Sequence, residues 1–252
     1  MKKIIKKSSI FSLSPLRIIM LFVGLFTVLF FIKTPQNLNL KKKAASSTIP
    51  SNISIVNITD NSFTVIWTTN EPATGAIMYE VKDNAESSVT YDVRDQETKS
   101  LKKYTAHYVQ ISGLKAQTVY TFTIESDGSR VNDGPQPFIV ATGRRIEILN
   151  PSHPIVLPIP DFSKEEDEVI MVLTARSSNK HSNAIAALVR DKYIMFDGGN
   201  FRQNDLTDTF QIKEKIDLVI TVIRAQEVWS YTTVISPETN VLASLFLHTI
   251  GE

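Results

Sequence analysis

Along most of this chain, large apolar residues return at every second position in short runs, the period of a strand with one buried face. In 62–69, Phe63, Val65 and Trp67 alternate with Thr64, Ile66 and Thr68, giving one large apolar face and one mixed face. The same alternation marks 74–80, 107–111 and 119–125, where Tyr120, Phe122 and Ile124 oppose Thr121 and Thr123. Turn residues punctuate these runs at Asp60-Asn61, Asn70-Glu71-Pro72, Ser112-Gly113 and Asp127-Gly128. Strand signals about every 8–12 residues over 51–143 predict a β-sandwich of half-buried strands.

From 144 to 161 the pattern is broken by Pro151, Pro154, Pro158 and Pro160. Prolines at that density exclude a regular central strand and predict a linker or an edge strand. A second strand-rich region occupies 162–252, with candidate strands at 168–175, 184–190, 192–197, 217–223 and 227–234. Arg190-Asp191 and 197–200 mark its turns. Trp229 and Tyr231 share one face of the last candidate strand, read as core with a sugar-stacking platform as the alternative. The apolar end 240–250 is too short to span a bilayer and predicts a last strand or a docking helix.

One stretch departs from the strand pattern. Residues 18–32 (IIMLFVGLFTVLFFI) carry no charge and follow Lys2, Lys3, Lys6, Lys7 and Arg17. As a helix the run reaches about 22 Å, short of a bilayer core of about 30 Å; local thinning and snorkelling of Arg17 and Lys33 cover the difference. A cleaved secretory signal has the same outline, but Lys33-Thr34-Pro35 follows the run where small residues would be needed. The expectation is a basic tail (1–17), a transmembrane signal anchor (18–32) held by membrane lipid, and a polar tether (33–50). Lysines on both sides leave the charge bias for orientation weak. The predicted fold class is therefore all-β: two tandem β-sandwich domains behind one N-terminal transmembrane helix.

Composition changes little in that picture. The sequence has no cysteine, so no disulfide, which fits a bacterial envelope better than a disulfide-rich ectodomain. Net charge is +1 and five basic residues sit in the tail, so nothing favours nucleic-acid binding.

SNISIVNITDNSFTVIWTTNEPATGAIMYE, followed by YTAHYVQISGLKAQTVYTFTIES, resembles a fibronectin type III domain. It is most similar to the bacterial version that resembles the N-terminal domain of purple acid phosphatases. The resemblance implies that Trp67 is the core tryptophan of the second strand. It also implies that 114–120, from Leu114 to Tyr120, match the L-x-P-x-T-x-Y corner whose tyrosine hydroxyl bonds back to the backbone, with Ala116 in place of the usual proline. Trp67, Leu114 and Tyr120 are thus expected structural core residues. The region from SNAIAALV through YIMFDGGNFRQNDLTDTF to DLVITVI looks like a carboxypeptidase-regulatory-like or transthyretin-like Ig sandwich, so the two resemblances imply tandem Ig-like/fibronectin type III-like β-sandwich domains.

The hydrolase part of a purple acid phosphatase needs Asp, Asn and His ligands for two metals. Here His107, His153, His181 and His248 stand at unrelated spacings, with no H-x-H and no G-x-S-x-G. His107 reads as structural, and His181 as a solvated loop residue with a binding role as the alternative. The acidic run 164–168, the segment 92–95 and the segment 204–208 read first as exposed loop charge, with calcium or ligand contact as the alternative. Asp197-Gly198-Gly199 reads as a turn using positive φ. Asn52-Ile53-Ser54 and Asn57-Ile58-Thr59 fit the N-glycosylation pattern. No catalytic residue, cofactor or metal is predicted. The sequence points to a non-enzymatic, membrane-anchored cell-envelope protein whose sandwiches act as spacer and adhesion or interaction modules, its extracytoplasmic protein or glycan partner unknown. The alternative is a substrate- or glycan-binding accessory, or remnant, of a phosphatase or glycan-active enzyme.

Overall fold

The computed structural model describes residues 47–247 apart from 85, 149, 164–167, 226 and 246; the apolar run 18–32 and most of the tether lie outside the described residues. Among the described residues no helix is long and apolar enough to cross a membrane.

The first sandwich is built from eight strands in two antiparallel sheets. Strands β1 (Ser51–Val56), β2 (Ser62–Ala73) and β5 (Tyr104–Ser112) form one, in the order β1-β2-β5. Strands β3 (Gly75–Val81), β4 (Ser87–Tyr91), β6 (Val119–Ser126) and β7 (Ser129–Val131) form the other, in the order β4-β3-β6-β7, with β8 (Phe138–Ala141) beside β7 on the same edge of β6. Alternate residues meet between the sheets: Phe63, Val65 and Trp67 from β2 against Tyr120, Phe122 and Ile124 from β6. A short helix α1 (Val93–Thr98) crosses from β4 to β5.

The second sandwich pairs β11 (Ile185–Leu188), β10 (Val169–Arg176), β13 (Ile216–Arg224) and β14 (Glu227–Ile235) in the order β11-β10-β13-β14. They face a two-stranded sheet of β9 (Pro154–Pro158) and β12 (Tyr193–Asp197). The proline-rich segment thus contributes a strand, with Pro154 and Pro158 at its ends. The outer edge of β9 is held by Asn240 and Leu242, whose carbonyl and N–H bond the two sides of Val156 (both 2.8 Å). Through residue 245 the apolar end meets β9 through an isolated bridge at Val241 and a bond from Leu245 N to Pro158 O (2.9 Å), forming neither the strand nor the helix expected, while Leu242 and Leu247 complete the core.

The mixed face of β2 departs from expectation. Thr64, Ile66 and Thr68 are buried as fully as Phe63, Val65 and Trp67. The reason is a third apolar cluster, in which Val56, Ile66, Ala106 and Tyr108 of the first sandwich meet Ile170, Ala186 and Ile223 of the second. The alternation of β10 explains it: Val169, Met171, Leu173 and Ala175 fill the second core, while Ile170 and Val172 point the other way, at the first sandwich. The result is four sheets packed face to face within one compact unit.

Candidate functional site

The seam between the sandwiches carries the densest set of long-range polar contacts. Asn57, just past β1, has φ 52°, a left-handed conformation that asparagine tolerates. From there its main-chain N–H bonds Ala184 O (2.9 Å), its Oδ1 accepts from Ala186 N (2.8 Å), and its Nδ2 donates to Ala186 O (2.9 Å). One side-chain amide therefore pairs with the edge of β11 as a neighbouring strand would. Tyr108 OH donates to the same Ala186 carbonyl (2.9 Å) and accepts from Asn57 Nδ2 (2.8 Å). Burial raises the Tyr108 hydroxyl above its ordinary pKa. Ala106 and Ala186 are small enough to let the sheets approach. The Asn57 amide is spent in this network, so the apparent glycosylation pattern there is a structural element.

Three further contacts bracket the seam. Arg202, largely buried, reaches Asp60 Oδ1 (2.8 Å) and the Arg144 carbonyl (3.2 Å). Glu168, at the end of the acidic run, accepts from the N–H groups of Thr105 (2.7 Å) and Ala106 (3.3 Å) and from the Thr105 hydroxyl; residues 164–167 of that run lie outside the described residues. The Arg190–Glu97 pair (2.6 Å) is half-exposed and contributes little.

The segment 92–95, expected as exposed loop charge, is buried. Asp92 caps α1 by accepting from Arg94 N (3.0 Å), and also takes the Arg94 guanidinium through both carboxylate oxygens (2.8 and 2.9 Å). Its Oδ2 further accepts from Tyr108 N (2.8 Å), and Arg94 donates to Ala106 O (2.6 Å). These charges survive burial because nearly every lone pair and N–H has a partner. The guanidinium also lies 3.5 Å from the Tyr104 ring centroid. Burial raises the Asp95 carboxyl, against hydrogen bonds from Lys102 N and the Tyr104 hydroxyl (both 3.0 Å) that work to lower it.

His107 stacks on Trp67 (centroids 4.6 Å apart, planes 9° from parallel). A Cβ added at Gly75 would stand 2.3 Å from its Nδ1 and 2.8 Å from the Trp67 ring, so only glycine fits there. Both His107 nitrogens lack a hydrogen-bond partner among the described residues, and burial lowers its pKa to about 4. The imidazole is a neutral core ring.

The remaining sequence candidates fall apart from one another. Leu114 packs against the first core, and Tyr120, buried in it, accepts from Lys115 N (2.9 Å). Trp229 and Tyr231 turn their rings onto the second core instead of forming an exposed platform, and burial pushes the Tyr231 hydroxyl up to about 12. Asp197 is drawn up by burial but held below the usual carboxylate range by His153 N, Gly199 N and the Ser152 hydroxyl (2.7–2.9 Å). Neither Gly198 nor Gly199 has positive φ; Gly199 is needed because its Cβ would lie 2.5 Å from Pro151 O. His181 is exposed, and Asp205 closes a local turn onto Thr207 N (3.0 Å). Among the described residues no three His, Asp or Glu side chains converge as a metal site would need.

A cleft of about 410 Å³ opens beside the seam, between the sandwiches. Asn57, Asn183 and Arg202 line it but are committed to the seam, whereas Gln110, Asn200 and the exposed Met195 face it without a side-chain hydrogen bond among the described residues. Apolar side chains such as Ile58, Ile146 and Ile185 share the lining with these groups, so the cleft combines two available amides with apolar surface. Sequence reasoning missed the seam. The available signal was the row Thr64, Ile66, Thr68 opposite Ala106 and Tyr108, joined to an alanine-rich strand in 184–188.

The family described as "Purple acid Phosphatase, N-terminal domain" matches residues 50–137. No curated protein matches the chain. Among solved structures, a computationally redesigned β-sandwich protein aligns at 18% identity over 38% of this chain and 94% of that one, with TM-score 0.28. The FN1-FN3 domains of chicken CNTN1 align at 11% identity over 74% of this chain and 64% of that one, with TM-score 0.26. The first sandwich is a fibronectin type III-like domain of the purple acid phosphatase N-terminal kind.

Proposed function

From that first domain, we propose that this is a non-catalytic cell-envelope protein, anchored in the membrane through residues 18–32, whose extracytoplasmic sandwiches act together as a spacer and interaction module. The observation that carries the reading is the seam: polar groups that could have formed an exposed site are spent on joining the two sandwiches. A rigid pair projects a partner surface further and more reproducibly than two domains on a flexible linker. The cleft beside the seam, where Gln110 and Asn200 have no side-chain hydrogen bond among the described residues, is the proposed contact for a protein or glycan.

Fractionation tests the anchor: the full chain should resist carbonate extraction, whereas a mature form beginning near Asn37 would establish a cleaved signal. Crosslinking capture from intact cells, with the 44–252 fragment as competitor, tests the interaction role. A partner lost on competition supports it, and turnover of phosphate or glycoside substrates abolished by a point substitution overturns it. The family match favours one second reading, an accessory of a phosphatase or glycan-active enzyme, which predicts a hydrolase among the captured proteins.

A further inference from the structure

The four-stranded sheet of the second sandwich treats its two edges differently. At β11 the edge is closed by Asn57. At β14 no described strand pairs with the outer edge, which runs for nine residues. Natural edges are blunted by lysine, proline, bulges or shortness. Strand β14 (EVWSYTTVI) has no lysine and no proline, pairs with β13 residue for residue from Arg224↔Glu227 to Ile216↔Ile235, and carries a single charge at its first position.

The hairpin fixes which main-chain groups face outward. Only two residues separate Arg224 from Glu227, and Ala225 has φ 50°, as the tight turns joining such strands require. Arg224 and Glu227 are then a hydrogen-bonded pair, and the alternation places the N–H and C=O of residues 228, 230, 232 and 234 on the open edge. Their side chains, Val228, Ser230, Thr232 and Val234, are exposed and uncharged, the two valines at 44% and 58% exposure.

We propose that β14 is a self-association edge, pairing antiparallel with β14 of a second copy of this chain about a two-fold axis at Tyr231. In that register Val228 faces Val234 of the other copy and Ser230 faces Thr232. Every outward N–H and C=O meets its complement, giving about eight hydrogen bonds. Glu227 faces Ile235 of the other copy, so no like charges meet. A two-fold axis makes the contact closed, ending at a dimer with both first sandwiches on one side of the joined sheet. The inference is independent of the anchor and of any other partner.

Sedimentation of the full chain in detergent tests it over a wide concentration range. The parent should pass from monomer to dimer. Thr232→Pro removes an outward N–H without touching the β13 ladder, and should raise the dissociation constant at least about tenfold while leaving the circular dichroism spectrum unchanged. Thr232→Lys is the second variant should proline unfold the strand, with the same expected loss. Because the chain has no cysteine, mixed Ser230→Cys and Thr232→Cys chains should join through a short bis-maleimide, and chains carrying Ser87→Cys on β4 should not. A parent that stays monomeric, or association that persists in the folded Thr232 variants, overturns the proposal.

Discussion

Replacing Asn57 by alanine measures what the seam contributes. The substitution strands Ala186 N, which is buried and has Asn57 Oδ1 as its acceptor, at a cost of about 1–3 kcal/mol. The bond to Ala186 O matters less, since Tyr108 OH still reaches that carbonyl. Alanine at φ 52° adds about 1 kcal/mol that asparagine avoids. The expected loss is about 3 kcal/mol for Asn57→Ala and about 1 kcal/mol less for Asn57→Gly, which keeps the backbone relaxed. The assay is urea unfolding of the full chain followed by tryptophan fluorescence. The two tryptophans divide the work: Trp67 reports the first sandwich and Trp229 the second, each read alone after the other is changed to phenylalanine. The parent should unfold with coincident transitions, and Asn57→Ala should move both or separate them. A shift below about 0.5 kcal/mol, within the range of ordinary surface substitutions, or a glycine variant weaker than the alanine one, would refute the reasoning.

Trp67→Ala should cost about 3–5 kcal/mol as a buried large aromatic, and Tyr120→Phe about 1–2 kcal/mol through the corner bond to Lys115 N, both read from denaturation midpoints. For His107 the folded-state pKa lies below the unfolded value of about 6.5, so the native state keeps the ring neutral while the unfolded chain takes up a proton. Its contribution to stability is whole above pH 6.5 and lost as pH falls towards 4, about 2 kcal/mol between pH 7 and 5. His107→Phe should flatten that slope, and a slope unchanged by the substitution would reassign it to other groups.

The strands were readable wherever burial is one-sided, because Phe63, Val65 and Trp67 announce a face by themselves. What could not be read was the second burial of β2: Thr64, Ile66 and Thr68 look the same whether they meet water or another sheet. The short-range polar reading of 92–95 failed for a related reason. An aspartate and an arginine two positions apart resemble solvated charge until folding shows that the guanidinium turns back onto its own cap. Asn57 was legible only as part of an N-glycosylation pattern, since its role depends on a backbone edge 129 positions away. Glycine was read for its torsional freedom at 198–199, yet at Gly75 and Gly199 it is required because a neighbour leaves no room for a side chain.

The amide that closes β11 bears on how these domains can be inherited and recombined. Fibronectin-like units are commonly treated as beads that can be cut from one chain and strung on another. Here the matched segment 50–137 ends before β8, and its β1-β2-β5 sheet carries an apolar outer face that another sheet covers. Excised alone, that bead would lose a strand and bare Ile66, Ala106 and Tyr108, while the remainder would be left with an unclosed β11. The transferable module is the pair, and genetic boundaries that preserve folding lie outside both sandwiches.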